Sequence, residues 1–389
     1  MADPDNYEDQ GTLDEIDPDN FIPNAISEYM NESEINAMFR SNPYLNNSFS
    51  LFFLNIRSLA PKLDTLSSYL SGISVHFSVI GFAETWLNPS NNDLANLRGY
   101  SSCHNVRSSQ QGGGVALYVN NSITFSPVFE LTIMEPAFES VFIQLTKIPN
   151  SSLQPRVGVI YRPPNADLTS FMDRLHAVLG VLQNDLKPTY ILGDFNINLL
   201  AYESQNYVRE FADLMRSQSF FPLISEPTRK TPLSATLIDN IFTNVMQNSH
   251  KSGILYSDIS DHLPIWACNE CMLNSNHNRV LRFRSFSDQN VALFLERLTM
   301  ITWEDVLSLT DCQAAFTLFF GRLMDCFNGA FPLRTREHNG TRNQAWVTTN
   351  LKKAINRKNK LYRRFLRRPS VYNEIVYKVS KSQVSRDIK

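Results

Sequence analysis

The sequence predicts an α/β fold, two packed sheets flanked by helices, followed by a helical C-terminal extension. Three observations predict it. Between residues 49 and 269 about ten short apolar runs read as strands. The same region holds few stretches with the three- and four-residue apolar spacing of a helix, so the strands outnumber what a simple doubly wound sheet needs. Six of the runs end in, or next to, a polar residue, the pattern of strands whose ends line one site.

Strands are expected at 50–55, 77–83, 114–119, 139–145, 156–161, 189–194, 220–224, 237–243, 253–256 and 262–267. Helices are expected at 61–72, 168–184 and 207–218, and Leu175, Val178, Leu179 and Leu182 show the helical spacing most clearly. Residues 1–48 form an acidic head, read as disordered apart from a short helix within Ala25 to Phe39. Residues 49–269 form the folded body. Residues 270–389 form a basic helical connector, with amphipathic stretches at Val291–Leu298 and Cys312–Phe327 and Trp303 between them.

Composition narrows the class. A hydrophobic content of 43% and 26 Phe supply a sizeable core. No run reaches the roughly eighteen apolar residues of a membrane span, and the acidic N-terminus is unlike a secretory signal. The five cysteines are scattered, and Cys268 with Cys271 makes one CxxC without a second pair, too little for zinc. A reducing intracellular setting, the nucleus, is expected. The net charge of −2 hides a polarity. Residues 1–40 carry about −10 and residues 334–389 about +13. Near the C-terminus, Leu351, Ile355, Tyr362, Phe365 and Leu366 mark one face of a helix whose other face carries Lys352, Lys353, Arg357, Lys360, Arg363 and Arg364. A one-sided basic face points to nucleic acid as partner, DNA or RNA.

The polar residues at the run ends are Asn55, Glu84, Tyr161, Asp194, Asp239 and His262. Gly193-Asp194-Phe195-Asn196 is the most telling. Residues i and i+2 of an extended segment share a side, so Asp194 and Asn196 can face one cleft. Read alone, the tetrapeptide is equally a strand-to-turn junction. Gly112-Gly113-Gly114 lacks the order of a phosphate-binding loop and reads as a flexible entry to a strand. If the run ends converge, Glu84 with Asn55 can bind a hard divalent cation, Mg²⁺ by default. Asp194 can orient or deprotonate a water, and Asn196 can hold that water or a phosphoryl oxygen. His262 can donate to the phosphate, its tautomer fixed by Asp239 or Asp261, and Tyr161 can donate its phenol. The sum is metal-assisted phosphoester hydrolysis.

The ordered set Leu54-Asn55-Ile56, Ala83-Glu84-Thr85, Ile160-Tyr161 with Asn165, Gly193-Asp194-Phe195-Asn196, Ile238-Asp239 and Ser260-Asp261-His262 resembles the endonuclease/exonuclease/phosphatase superfamily. That resemblance implies a four-layered α/β/β/α sandwich, DNase I-like, over residues 49–269. Asn55-Ile56-Arg57-Ser58-Leu59, Glu84-Thr85-Trp86-Leu87, Tyr161-Arg162-Pro163-Pro164 and Leu237-Ile238-Asp239-Asn240-Ile241-Phe242 are similar to the endonuclease domains of LINE-type non-LTR retrotransposons. Trp303-Glu304-Asp305-Val306 and Ala345-Trp346-Val347 resemble the connector that precedes the reverse transcriptase there. No Tyr-x-Asp-Asp motif follows, so the polymerase is expected to be absent and the chain a fragment.

The resemblance implies a metal at Asn55 and Glu84, Mg²⁺ with Mn²⁺ as the alternative. It gives phosphate and water activation to Tyr161, Asn165 and Asp194, and nucleophile positioning to Asn196. Asp239 orients His262, with Asp261 beside it, and Thr228 or Thr231 contacts phosphate. The expected activity is DNA nicking. The alternatives are a phosphatase or phosphodiesterase on small phosphoesters and a catalytically silent nucleic-acid-binding remnant. Arg57 stands where apurinic endonucleases carry an acid, which argues against tight metal binding and abasic-site specialisation.

Overall fold

The computed structural model describes residues 27–42, 45, 48–91, 95–108, 112–149, 151, 153–184, 187–231, 233–245, 250–269, 280–283, 288–332, 334–337 and 349–388. The chain divides into two compact units, Met1–Asn274 with Arg342–Lys389, and Ser275–Thr341.

In the larger unit the chain runs through β1 (Glu28–Met30), α1 (Glu32–Ser41), β2 (Phe49–Asn55), α2 (Leu63–Gly72), β3 (Val79–Ala83), β4 (Tyr100–Asn105) and β5 (Val115–Asn120). It continues with β6 (Thr124–Pro127), β7 (Ile133–Glu135), β8 (Phe138–Lys147), β9 (Arg156–Tyr161), α3 (Leu168–Gln183), β10 (Thr189–Asp194) and α4 (Asn206–Ser217). Then come β11 (Phe221–Pro222), β12 (Arg229–Lys230), β13 (Ala235–Thr236), β14 (Asp239–Thr243), β15 (His250–Leu255) and β16 (Ile265–Asn269).

Two seven-stranded sheets result. One runs β1-β15-β16-β2-β3-β5-β4; the other runs β11-β14-β10-β9-β8-β6, with β7 on β8. Alternation explains how the first sheet is covered twice. In β2, Phe49, Leu51 and Phe53 enter the core shared with the second sheet, together with Val141, Val159 and Leu192. Phe52 and Leu54 point the other way, onto Ile35 and Phe39 of α1 and Leu66 of α2. A strand buried on both faces must be apolar throughout, which is why β2 reads as a continuous run. On the far side α3 and α4 bring Phe171, Leu175, Phe211 and Met215 to the second sheet. The four-layered α/β/β/α sandwich is therefore present.

The boundary of the acidic head moves. Residues 28–41, expected to lie in it, form β1 and α1 and belong to the larger unit. Asn31 caps α1 by accepting from the Ser33 and Glu34 amides at 2.8 and 3.2 Å, and Glu34 accepts from the Asn31 amide at 2.7 Å. Ile35 and Phe39 are fully buried, each contributing about 1.5–3 kcal/mol of transfer free energy. Residues 1–26 lie outside the described residues, as do Cys271 and Ala345-Trp346-Val347.

The connector expected over 270–389 also divides. Within Ser275–Thr341, β17 (Val280–Phe283) pairs with β18 (Arg334–Glu337). Helices α5 (Asp288–Thr299), α6 (Glu304–Ser308) and α7 (Cys312–Ala330) accompany them. Phe294 packs on Phe327 and Phe331, and Trp303 on Phe319. The basic helices α8 (Thr349–Arg367) and α9 (Val371–Ile388) belong instead to the larger unit. Among the described residues no helix is long and apolar enough to cross a membrane.

Candidate active site

Strand register gathers the site. β10 lies between β9, parallel to it, and β14, antiparallel to it. Asp194 at the end of β10 is in register with Tyr161 on one neighbour and Asp239 on the other. Gly193 makes this approach possible, because a Cβ there would collide with the Ile160 carbonyl oxygen. It is thus a strand residue set by packing, not the first residue of a turn. In the first sheet, Asn55 ends β2 in register with Ala83, so Glu84 follows at the same edge.

The segments beyond these strands are held by backbone bonds. The Ser58 and Leu59 amides donate to the Glu84 and Thr85 carbonyls at 2.8 and 2.9 Å. Thr85 and Trp86 donate to Gly114 and Gly113 at 3.1 and 2.9 Å. Gly114 has φ +83°, and a Cβ there would meet Thr85 Oγ1 at 2.6 Å. The triple glycine accordingly braces the Glu84 segment. Arg57, Ser58, Glu84, Trp86 and Asn196 all have positive φ, a strained conformation for residues with a Cβ. They cluster around this edge.

Asn55 joins the two sheets. Its Nδ2 donates to Glu84 Oε1 at 2.9 Å and to Asp194 Oδ2 at 2.8 Å. Both acceptors are carboxylates, which fixes the amide orientation. Its Oδ1 is left buried without a hydrogen-bond partner. Glu84 also accepts from Trp86 Nε1 at 3.2 Å and hydrogen-bonds Tyr161. Asn196 donates its amide to Asp194 Oδ1 at 3.0 Å and its Nδ2 to Asp194 Oδ2 at 3.2 Å and the Arg162 carbonyl at 2.8 Å.

His262 Nδ1 lies 3.0 and 2.9 Å from the two carboxylate oxygens of Asp239. Thr228 Oγ1 donates to Asp239 Oδ2 at 2.5 Å, and the Thr228 carbonyl accepts the Leu263 amide at 2.7 Å. Nδ1 is thus taken by Asp239, and Nε2 is the ring's other nitrogen. Asp194, Asp239 and His262 bring one ligand atom each within 4.8 Å of one another, and all are buried.

Electrostatics separate the roles. Burial, then the neighbouring Asp239, pushes the Asp194 carboxyl up to about 7, against the opposing pull of His262 and the Asn55 and Asn196 donors. Burial works against the His262 imidazolium, but Asp239 outweighs it and raises the ring to about 9. The Tyr161 phenol is pushed up by burial and by Glu84 and Asp194, so it stays a proton donor.

Of the residues named from sequence, Asn55, Glu84, Tyr161, Asp194, Asn196, Asp239, His262 and Thr228 are linked in this network. Asp261 is held by Arg57 at 3.4 Å and Arg229 at 2.7 Å and acts on His262 through its charge, while Asp239 is the hydrogen-bond partner of the ring. Thr231 bonds Ser234 in an exposed turn between β12 and β13. Asn165 is exposed on the turn between β9 and α3. Sequence reading assigned no role to Trp86 and Arg162. Arg162 is buried and donates to the Asn196 and Ala166 carbonyls at 3.3 and 2.7 Å, bracing Asn196. Their signal was position, Trp86 two residues after Glu84 and Arg162 directly after Tyr161.

A sequence profile of the endonuclease/exonuclease/phosphatase family matches residues 52–262. Among solved structures the chain is similar to the endonuclease domain of TRAS1, a telomere-specific non-LTR retrotransposon. There the identity is 13% over 57% of this chain and 98% of that one, with a TM-score of 0.45. It is similar to the Xenopus laevis APE2 catalytic domain at 18% identity over 59% and 94%, TM-score 0.45. It is also similar to the AP endonuclease LMAP from Leishmania major at 14% identity over 64% and 93%, TM-score 0.47. No curated protein matches.

Proposed function

This chain belongs to the endonuclease/exonuclease/phosphatase family, and from that premise we propose that it is a Mg²⁺-dependent endonuclease that nicks DNA. The observation that carries the reading is the buried Tyr161–Asp194–Asp239 row, with His262 on Asp239 and Asn55 joining Asp194 to Glu84.

The donor set fits a hard cation. Asn55 Oδ1 is a buried oxygen lacking a hydrogen-bond partner, and Glu84, which Asn55 reaches through Nδ2, adds a carboxylate. When bound there, Mg²⁺, or Mn²⁺ in its place, supplies positive charge to a phosphoryl oxygen. The protein's own groups do the rest. Asp194 is an acceptor for the proton of an attacking water, its basicity raised by burial. Asn196, fixed by Asp194 and the Arg162 carbonyl, positions that water. His262, charged through its contact with Asp239, donates from Nε2 to the phosphate as negative charge builds. Tyr161 keeps its proton for a phosphate or leaving oxygen.

Relaxation of supercoiled plasmid tests the proposal. Nicking by the full chain with Mg²⁺, abolished in His262→Ala, is expected. Turnover of small phosphoesters with plasmid left intact would replace it with a phosphatase reading. Salt-sensitive DNA binding without any turnover would replace it with a silent binding remnant.

A further inference from the structure

The helices α8 and α9 are fastened to the segment that carries His262. Asp258, four residues before His262, is buried. Its carboxylate pairs with Lys358, accepts from the Tyr377 hydroxyl at 3.1 Å and lies 3.6 Å from Lys381 Nζ. Lys381 also donates to the Asp258 carbonyl at 2.7 Å. Lys358 is itself buried, so the basic helix does not carry all its charge on a solvated face. Asn359 donates to Glu32 of α1 at 3.1 Å, Phe365 stacks on Tyr377, and Tyr362 packs against Tyr377 at a tilt.

This docking borders an open cleft of about 440 Å³. Its lining includes Arg57, two residues beyond Asn55, and Asp261, the residue before His262. Phe365 and Leu366 of α8, Lys381 of α9, and Lys62 and Lys230 also line it. The cations outnumber their partners. Arg57 and Arg229 share Asp261, and Lys358 and Lys381 share Asp258. Lys62 donates to the carbonyls of Ile56 and Arg57 at 2.6 and 2.9 Å, and Lys230 lies over the Tyr29 ring at 3.6 Å. Even with Glu32 and Glu226 further out, the surroundings stay net positive.

We infer that this cleft holds the phosphodiester backbone of the DNA strand flanking the scissile phosphate, and that α8 and α9 are therefore part of the substrate site. The inference rests on the nuclease reading above. Cations that keep unspent donors suit phosphate oxygens, and the apolar Phe365 and Leu366 suit sugar and base surfaces. The cleft adjoins both loops that hold the reacting groups, as a strand running through the site requires.

Duplex DNA binding by the full chain, read as fluorescence anisotropy in chelator across a salt series, tests it without calling on catalysis. In Arg57→Gln/Lys230→Gln the slope of log affinity against log salt is expected to fall by about 2, one for each phosphate left without its cation. Leu366→Glu, which plants a negative charge in the α8 part of the lining, is expected to weaken binding. Arg364→Gln/Arg367→Gln, on the exposed face of α8, should change the slope less. An unchanged slope in the cleft variant beside a lowered slope in the exposed-face variant would overturn the inference. So would tighter binding of RNA than of DNA through the same cleft residues. Wild-type protein that binds in this way but never nicks plasmid would count against the hydrolysis reading and leave the cleft standing.

Discussion

The six residues Ser257 to His262 serve two clusters built from the same kinds of group and set to opposite ends. At one end Asp258 is a buried carboxylate surrounded by Lys358, Lys381 and Tyr377. Burial alone raises its pKa, yet the lysines and the hydrogen bonds overcome burial and hold it below the ordinary range. At the other end His262 faces Asp239 and Asp194. There burial and a second carboxylate push Asp194 up to about 7, because one imidazole, the Asn55 carboxamide and the Asn196 backbone amide do not offset them. The difference teaches how to tell anchoring from chemistry. A compensated buried charge fixes one element on another, whereas an under-compensated pair leaves a proton ready to move.

The comparison can be broken at several points. Chelation should return nicking to background, with Mg²⁺ restoring it, if Asn55 Oδ1 and Glu84 hold the cation; nicking unaffected by chelator in the plasmid assay would remove the metal. His262→Ala should lower kcat by about 10²- to 10⁴-fold and also lower the melting temperature, because Asp239 is left buried without its partner. Asp258→Ala should act on stability, costing about 3–5 kcal/mol in denaturant unfolding because two lysines lose their partner. Thr228→Ala, which removes the hydroxyl that donates to the Asp239 carboxylate and accepts from its amide, should cost about 1–3 kcal/mol in stability and lower kcat through looser placement of His262.

Acid gives the gentlest test. The folded pKa of Asp258 is depressed, so its stabilisation is fully present above the unfolded value of about 3.9 and is lost as pH falls through the folded one. The stability gap between wild type and Asp258→Ala should hold at pH 5 and 7 and close only below about pH 4. A gap already closing between pH 7 and 5, followed by denaturant melts, would show that Asp258 is not so compensated.

Much of the candidate site was legible because strands announce their ends. Tyr161, Asp194, Asp239 and His262 each sit beside a continuous apolar run, and a buried strand cannot hide such a run. Asn55 and Glu84 were legible for the same reason, although the partnerless Oδ1 of Asn55 was not. The anchor was hidden because its parts lie far apart in sequence: nothing near Asp258 names Lys358, Tyr377 or Lys381. The short helix expected within Ala25 to Phe39 is α1, but the acidic setting masked its capping box from Asn31 to Glu34 and its place in the folded body. The edge strand β4, Tyr-Ser-Ser-Cys-His-Asn, escaped because a half-exposed strand needs no apolar run. Between Asp239 and Asp261 the residues alone did not choose, because the hydrogen bonds that do so, Asp239 to His262 and Asp261 to Arg229, join segments far apart in sequence.

The most direct test sets Asp194→Asn against Asp258→Asn in the full chain, scoring plasmid nicking and denaturant unfolding on the same preparations. Asp194→Asn should abolish nicking while stability holds or rises, since it removes a carboxylate that faces Asp239. Asp258→Asn should lower stability and raise KM yet keep kcat at temperatures below its transition. Nicking that survives in Asp194→Asn, or a kcat lost in Asp258→Asn while the protein remains folded, would contradict the division between the two clusters.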